Sequence, residues 1–301
     1  MPINHISDTA HWVAMYRAFE SERADSLFDD PFARRLAGDL GGSIVREVPQ
    51  GESMAWAVIV RTAVMDELIL DCIDKGCTQV LNLGAGLDTR AFRLMLPQTL
   101  TWLDVDLPSM IAHRRACLKH HKPRCNHAHV AGDVNDADEL NRILCMARKG
   151  KAKGPMLVVS EGLLVYLDAA QVSALAALLH AEQSARWWLA DLVSPMLLGM
   201  VGARWPSNEA AASAPFQFAP RDSAGFFEPL GWHETAFRST LDEAVRLQRA
   251  PPMAQWWGAF VPPWWPGSRQ NLQRMSGIAL MEATRQPDPE GAEQVLSEAL
   301  P

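Results

Sequence analysis

The sequence predicts an α/β protein: a Rossmann-like fold with a mostly parallel sheet and helices on both of its faces. Three observations predict it. Short apolar runs at 79–83, 100–105, 126–131, 156–160 and 187–191 read as strands. Helix-like segments over 89–96, 108–119, 136–149 and 168–184 alternate with them. A glycine-containing turn, Gly84-Ala85-Gly86, follows the first run directly. Repeated β-α alternation implies parallel strands joined by crossover helices.

Ahead of the first strand, residues 1–75 read as a helical extension or lid. Its pieces are SERADSLFDDPFARRLAG and AWAVIVRTAVMDELILDCI, separated by a Gly/Pro-containing stretch. At about 100° per residue, Val58, Thr62, Met65, Ile69, Cys72 and Ile73 of the second piece share one face. Arg61 lies inside that apolar arc, away from Glu67, Asp71 and Asp74. An inward arginine requires an anionic partner. Further on, Leu140, Ile143, Leu144 and Ala147 form one face of a helix stopped by Gly150, and Asp168 is a good N-cap for the next. Beyond residue 192 the pattern weakens. One strand is expected near 233–238 and a last, edge strand over 277–284. Residues 76–286 then form the Rossmann-like core with substrate-side insertions, and 287–301 a frayed tail.

Composition excludes several classes of function. The 301 residues are 48% hydrophobic and 21% charged, enough apolar material for a large core. A net charge of −7 without any Lys/Arg block argues against a nucleic-acid partner. Arg114, Arg115 and Lys119 read as cations decorating a helix C-terminus. No apolar stretch spans a bilayer, 196–201 being typical, and MPINHISDTAHW has no signal-peptide pattern. Five cysteines, an odd number with no CxxC pair, predict neither disulfides nor a metal site and point to a reducing cytoplasm. The oligomeric state is left open.

The most informative string is QVLNLGAGLDTR, 79–90. Glycines at a strand-to-helix junction permit a sharp turn and close approach of a ligand to the main chain. The next strand ends in Asp106, twenty residues beyond Gly86, where a carboxylate accepts from ribose hydroxyls. The competing reading of Asp106 is a helix N-cap, since Pro108 follows. Together these residues describe a nucleoside site. A dinucleotide site wants GxGxxG, yet Thr89 stands at the third glycine and Asp88 adds negative charge where a pyrophosphate would lie. S-adenosylmethionine carries no phosphate, and its ammonium tolerates nearby acid.

The string GAGLDTRAFRL, followed by DVDLP and SEGLLVYL, resembles the leucine carboxyl methyltransferase-like family of S-adenosylmethionine-dependent O-methyltransferases, which includes bacterial polyketide enzymes. The likeness runs from RAFESERADSLFDDPFA to about Gly231-Trp232. It implies that Arg61 pairs with the cofactor's carboxylate, that Gly84, Ala85 and Gly86 pass beneath its methionine moiety, and that Asp106 holds the ribose. It further places Asp133 and Val134 at the adenine, where Asp133 reads equally as a cap, and Glu161 at the methionine end. Asp104 departs from the family's usual Glu, with little consequence expected.

The acceptor is expected to be a small organic acid or polyketide-like molecule, methylated on oxygen. A carboxylate is already ionised at pH 7, whereas a hydroxyl needs a base, and none of the nine histidines stands out as one. Tyr16, Arg17, Tyr166 and Trp205 are the candidates for the substrate pocket, with Arg23 a further lid residue; catalytic residues are not identified. The C-terminal tryptophans, Trp187, Trp188, Trp232, Trp256, Trp257, Trp264 and Trp265 among them, are pocket candidates that also read as ordinary packing. Two rival readings remain: an NAD(P)-dependent oxidoreductase on the same fold, and a noncatalytic module that binds S-adenosylmethionine.

Overall fold

The structure, a computed structural model, describes residues 7–47, 51–149, 154–202, 216–251 and 272–285. Strands β1 (Gln79–Leu83), β2 (Thr101–Asp106), β3 (Asn126–Ala131), β4 (Met156–Ser160) and β5 (Ala185–Val193) pair in parallel. With β6 (Trp232–Ser239) and β7 (Ser276–Ala283) they form one sheet in the order β3-β2-β1-β4-β5-β7-β6. Every residue of β1 and β4 is buried, as strands covered on both faces require. Their side chains alternate between two cores. Val80, Leu157 and Leu189 join one, while Leu81, Val158 and Trp188 join the other.

The first core is closed by α1 (Asp8–Ser21), α2 (Ala33–Glu47), α3 (Gly51–Asp74), α4 (Arg90–Arg93) and α5 (Pro108–Leu118). The second is closed by α6 (Ala137–Lys149), α7 (Ala169–Ala181) and the 3-10 turn Ser223–Leu230. Helices α8 (Pro195–Gly202) and α9 (Thr240–Arg246) follow β5 and β6. In α3 the expected face is inward: Thr62, Met65, Ile69 and Cys72 are fully buried. The capping box of Asp168 and Gln171 starts α7 as its sequence suggests.

Three expectations need correction. Strand β7 is not an edge: it runs antiparallel between β5 and β6, and β6 is the edge. Five of its eight residues are buried, because both neighbours cover it. The stretch 22–32 is not helical. The Glu20 carboxylate accepts from the Leu27 N–H at 2.8 Å and the Ser21 hydroxyl from the Asp30 N–H at 2.8 Å, giving the backbone partners outside a helix. Helix α4 is a single turn, since Leu94, its C-cap, adopts extended backbone.

In this strand order the chain leaves β1 toward β2 on one side, while β4 lies on the other. A crevice opens at the carboxyl ends of the strands at such a switch point. Asp88, Asp106, Asp133, Glu161 and Asp191 all stand near the carboxyl end of a strand or in the loop after it.

Candidate cofactor and active site

The cleft at this point encloses about 540 Å³, the size of a nucleoside-sized ligand site. Arg61, Gly84, Ala85, Gly86, Asp106, Asp133, Val134 and Glu161 all line it. Gly84 and Gly86 have φ of +63° and +49°, a left-handed backbone that side-chain-bearing residues avoid. A Cβ on Gly84 would also sit 3.0 Å from Leu163 Cδ1. The turn is pinned at several points: the Ala85 N–H donates to Val105 O at 3.0 Å and the Gly86 N–H to Asp106 Oδ2 at 2.6 Å.

Asp106 does not cap α5. The N-cap position is Leu107, with no side-chain cap, and Asp106 Oδ1 accepts from the Leu107 amide itself at 2.7 Å. Burial raises its carboxyl above the ordinary value, against the pull of these two amides. Each oxygen still has lone-pair capacity for a ribose hydroxyl. Asp133 does not cap α6 either. That role falls to Asp136, whose Oδ1 accepts from the amides of Asp138 and Glu139 at 2.9 and 3.1 Å. Asp133 closes its own turn onto the Asn135 N–H at 2.9 Å and stays exposed, while Val134 packs against the second core.

At the opposite end lies an ion-pair network. Arg61 donates through Nε to Glu161 at 2.9 Å and through Nη1 to Asp191 at 3.0 Å. Its partners are therefore not Glu67 or Asp71 of its own helix; Glu67 pairs with Arg238 and Arg246 instead. Arg90, 2% exposed, bonds Asp66 at 2.6 Å, Asp88 at 2.7 Å and Glu161 at 2.6 Å, and Arg93 holds Asp66 at 2.7 Å. Burial works against ionised Glu161, but Arg90 and Arg61 outweigh it and bring its carboxyl down to about 2. Asp88 is likewise held below its usual range, burial again being overcome by Arg90. At this end the cleft lining sets Arg61 against Asp88, Glu161 and Asp191, with Arg90 buried behind it, and the balance is acidic. It suits an ammonium beside a carboxylate. Thr89, at the third-glycine position, is buried and donates to Asp30 at 2.7 Å, so the short α4 presents no glycine-lined cradle for a pyrophosphate.

Sequence reasoning missed Asp191 and Arg90. Asp191 ends the run RWWLAD as Asp106 ends its own strand, and its Oδ1 also accepts from the Gly162 N–H at 2.6 Å. Arg90 gave a signal only as a charged residue close to Asp88 in the run DTRAFR.

On the acceptor side the substrate candidates divide. Tyr166 lines the cleft, its hydroxyl donating to Thr9 at 3.3 Å and its ring 5.3 Å from Phe216. Tyr16 does not: it is fully buried against Trp12, and α1 turns Thr9, Trp12 and Val13 to the cleft instead. Arg17 reaches the cleft wall as a brace, its guanidinium spent on Asp30 at 2.9 Å and on Leu87 O at 2.5 Å. Arg23 is an exposed partner of Asp25. Trp187, Trp188 and Trp232 are core residues, Trp188 and Trp232 stacking edge-on at 5.4 Å. Trp205, Trp256, Trp257, Trp264 and Trp265 lie outside the described residues, as do Gly150 and the tail from 286.

Sheet order, glycine turn and strand-end acids together define a Rossmann-like methyltransferase that uses S-adenosylmethionine. The sequence pattern of the leucine carboxyl methyltransferase family matches residues 10–180, and the chain belongs to that family. It is 31% identical over 257 residues to a Streptomyces coelicolor protein named as an S-adenosyl-L-methionine-dependent methyltransferase, covering 80% of this chain and 87% of that one. A Mycobacterium tuberculosis protein named likewise is 30% identical over 279 residues, covering 83% and 79%. Among solved structures, a methyltransferase from Thermobifida fusca superposes with a TM-score of 0.58 at 14% identity, over 95% of this chain and 97% of that one. A DUF574 family protein from Streptomyces avermitilis gives 0.55 at 14%, over 90% and 96%; at such identity these two speak to the fold alone.

Proposed function

We propose that the protein is an O-methyltransferase acting on a small organic acid or polyketide-like acceptor that presents an already ionised oxygen. One observation carries this reading. Among the described residues, no histidine, lysine or cysteine lines the cleft. The acceptor side is built from Val165, Leu192, Val193, Leu197, Leu198 and Phe216, with Tyr166 and Thr9 as polar points. Asp191, the acid nearest those apolar residues in sequence, is engaged by Arg61 and the Gly162 amide. An acceptor side without a free base favours a nucleophile that needs none.

The residues present fit the cofactor. Asp106 would hold the ribose, the Gly84–Gly86 turn would underlie the methionine moiety, Asp133 and Val134 would flank the adenine, and Arg61 with Glu161 would face the amino-acid end. Bound there, S-adenosylmethionine supplies an electrophilic methyl group. The chain's own contribution is to orient the two reactants and exclude water with an apolar wall. This reading takes a reducing cytoplasm as the working compartment, on the odd cysteine count and the lack of a CxxC pair. No helix among the described residues is long and apolar enough to cross a membrane.

The test is incubation with methyl-labelled S-adenosylmethionine and a panel of carboxylic acids, phenols and amines. Ester formation with a rate flat across neutral pH is the expected result. Transfer only to hydroxyls, with a rate rising as a base deprotonates, overturns the acceptor assignment, and binding without transfer to any class makes the protein a cofactor-binding module.

A further inference from the structure

Arg114 was expected to decorate a helix end. It is instead completely buried on the inner face of α5, directly beneath the cofactor turn. Its Nη1 donates to two carbonyls of that turn, Ala85 O at 3.3 Å and Gly86 O at 3.1 Å, and its Nη2 to Asp104 Oδ2. Asp104 in turn accepts from Asn82 Nδ2 at 2.9 Å and Trp102 Nε1 at 2.8 Å, and lies 2.7 Å from His127 Nε2. The acid that departs from the family's glutamate is therefore the anchor of a buried cation.

Asp104, His127 and His129 bring three ligand-type atoms within 4.8 Å of one another, a spacing that would also suit a metal ion. Arg114 already supplies the cation there. It shares the Asp104 oxygen that faces His127, and with burial it helps hold His129 neutral, with a pKa of about 4. Arg114 Nε, by contrast, has no hydrogen-bond partner. The guanidinium is thus set by Asp104 and the turn, and not by the fullest pairing available to it.

From this geometry we infer that Arg114 is a positioning residue for cofactor binding, clamping the Gly84–Gly86 turn from below while Asp106 holds it from above. The Ala85–Gly86 peptide is trans, so its C=O and N–H point to opposite sides. Arg114 takes the carbonyl and Asp106 takes the N–H of that one peptide. Rotating the peptide breaks both bonds at once. The turn holds its left-handed glycines, otherwise free to adopt many conformations, in one conformation before the ligand arrives, which removes an ordering cost from binding.

The test measures S-adenosylhomocysteine affinity by calorimetry, together with amide exchange of the unliganded protein, and needs no knowledge of the acceptor. Arg114→Met combined with Asp104→Asn removes both buried charges together, so that neither is left unpaired, and frees the turn's carbonyls from their donor. It is expected to weaken binding about tenfold or more and to speed exchange at Ala85–Asp88 while β1 and β4 stay protected. Arg114→Lys keeps the charge and loses the fork, so it should fold and bind about three- to tenfold more weakly. Binding within about twofold of wild type in either folded variant overturns the inference. So does exchange that rises evenly across the sheet, which would make Arg114 a general stabiliser.

Discussion

Replacing Glu161 by Gln removes one charge from the methionine-end network and keeps the side chain's shape. Glu161 receives Arg61 at 2.9 Å and Arg90 at 2.6 Å, and its carboxyl moves from an ordinary 4.5 to about 2. At about 1.36 kcal/mol per tenfold change, that displacement amounts to about 3 kcal/mol in favour of the ionised form. The side chain is 14% exposed, and both arginines keep other acids: Asp66 and Asp88 for Arg90, Asp191 for Arg61. The variant should therefore lose about 1–3 kcal/mol at pH 7. A folded-state value below the unfolded one means that the contribution is complete above about 4.5 and disappears as pH falls through about 2. Urea unfolding followed by tryptophan fluorescence, from pH 7 downward, reads the difference between the two proteins. The gap should be constant down to about pH 5 and narrow below that. No gap at pH 7, or one that widens on acidification, refutes the assignment.

Arg61→Ala should weaken S-adenosylhomocysteine binding by about 1.5–3 kcal/mol, or roughly 10- to 150-fold, in calorimetric titration; unchanged affinity would refute its role. Gly84→Ala forces a Cβ onto a backbone with φ of +63° and to within 3.0 Å of Leu163. It should cost about 1–2 kcal/mol of stability in denaturant unfolding and reduce cofactor affinity as well. Burial raises the Asp106 carboxyl above 3.8, so wild-type cofactor affinity should fall on acidification at a higher pH than for an ordinary aspartate. Asp106→Asn should bind weakly and show no such dependence when titrated from pH 7 to the acid limit of folding.

The parallel core was legible because strands buried on both faces leave continuous apolar runs, and because Gly84-Ala85-Gly86 punctuates the first of them. Arg61 was legible as an inward residue from helical phase alone, although its partners, Glu161 and Asp191, lie 100 and 130 residues away. The position of β7 was not legible, since the strand order of a sheet leaves no mark on local periodicity and an interior antiparallel strand reads like an edge one. Arg114 was misread because Arg115 and Lys119 made the stretch look like a charged surface. Yet it shares a helical face with Met110, Ile111 and Leu118, all buried, at spacings of four, three and four. That phase was the available signal. Tyr16 failed for the opposite reason: a polar tip suggested a pocket, but it stands on the side of α1 turned to the core.

The wedging of β7 between β5 and β6 has a consequence for how the chain matures. Strand β5 carries Asp191 into the active cleft, yet one of its flanks stays open until residues 276–283 have followed it out of the ribosome. Until then a nascent chain displays the unpaired margin of RWWLADLV, an adhesive surface that invites association with other chains. A ribosome pausing shortly before Ser276 would hold a protein whose nucleoside-binding half is complete but whose sheet cannot close.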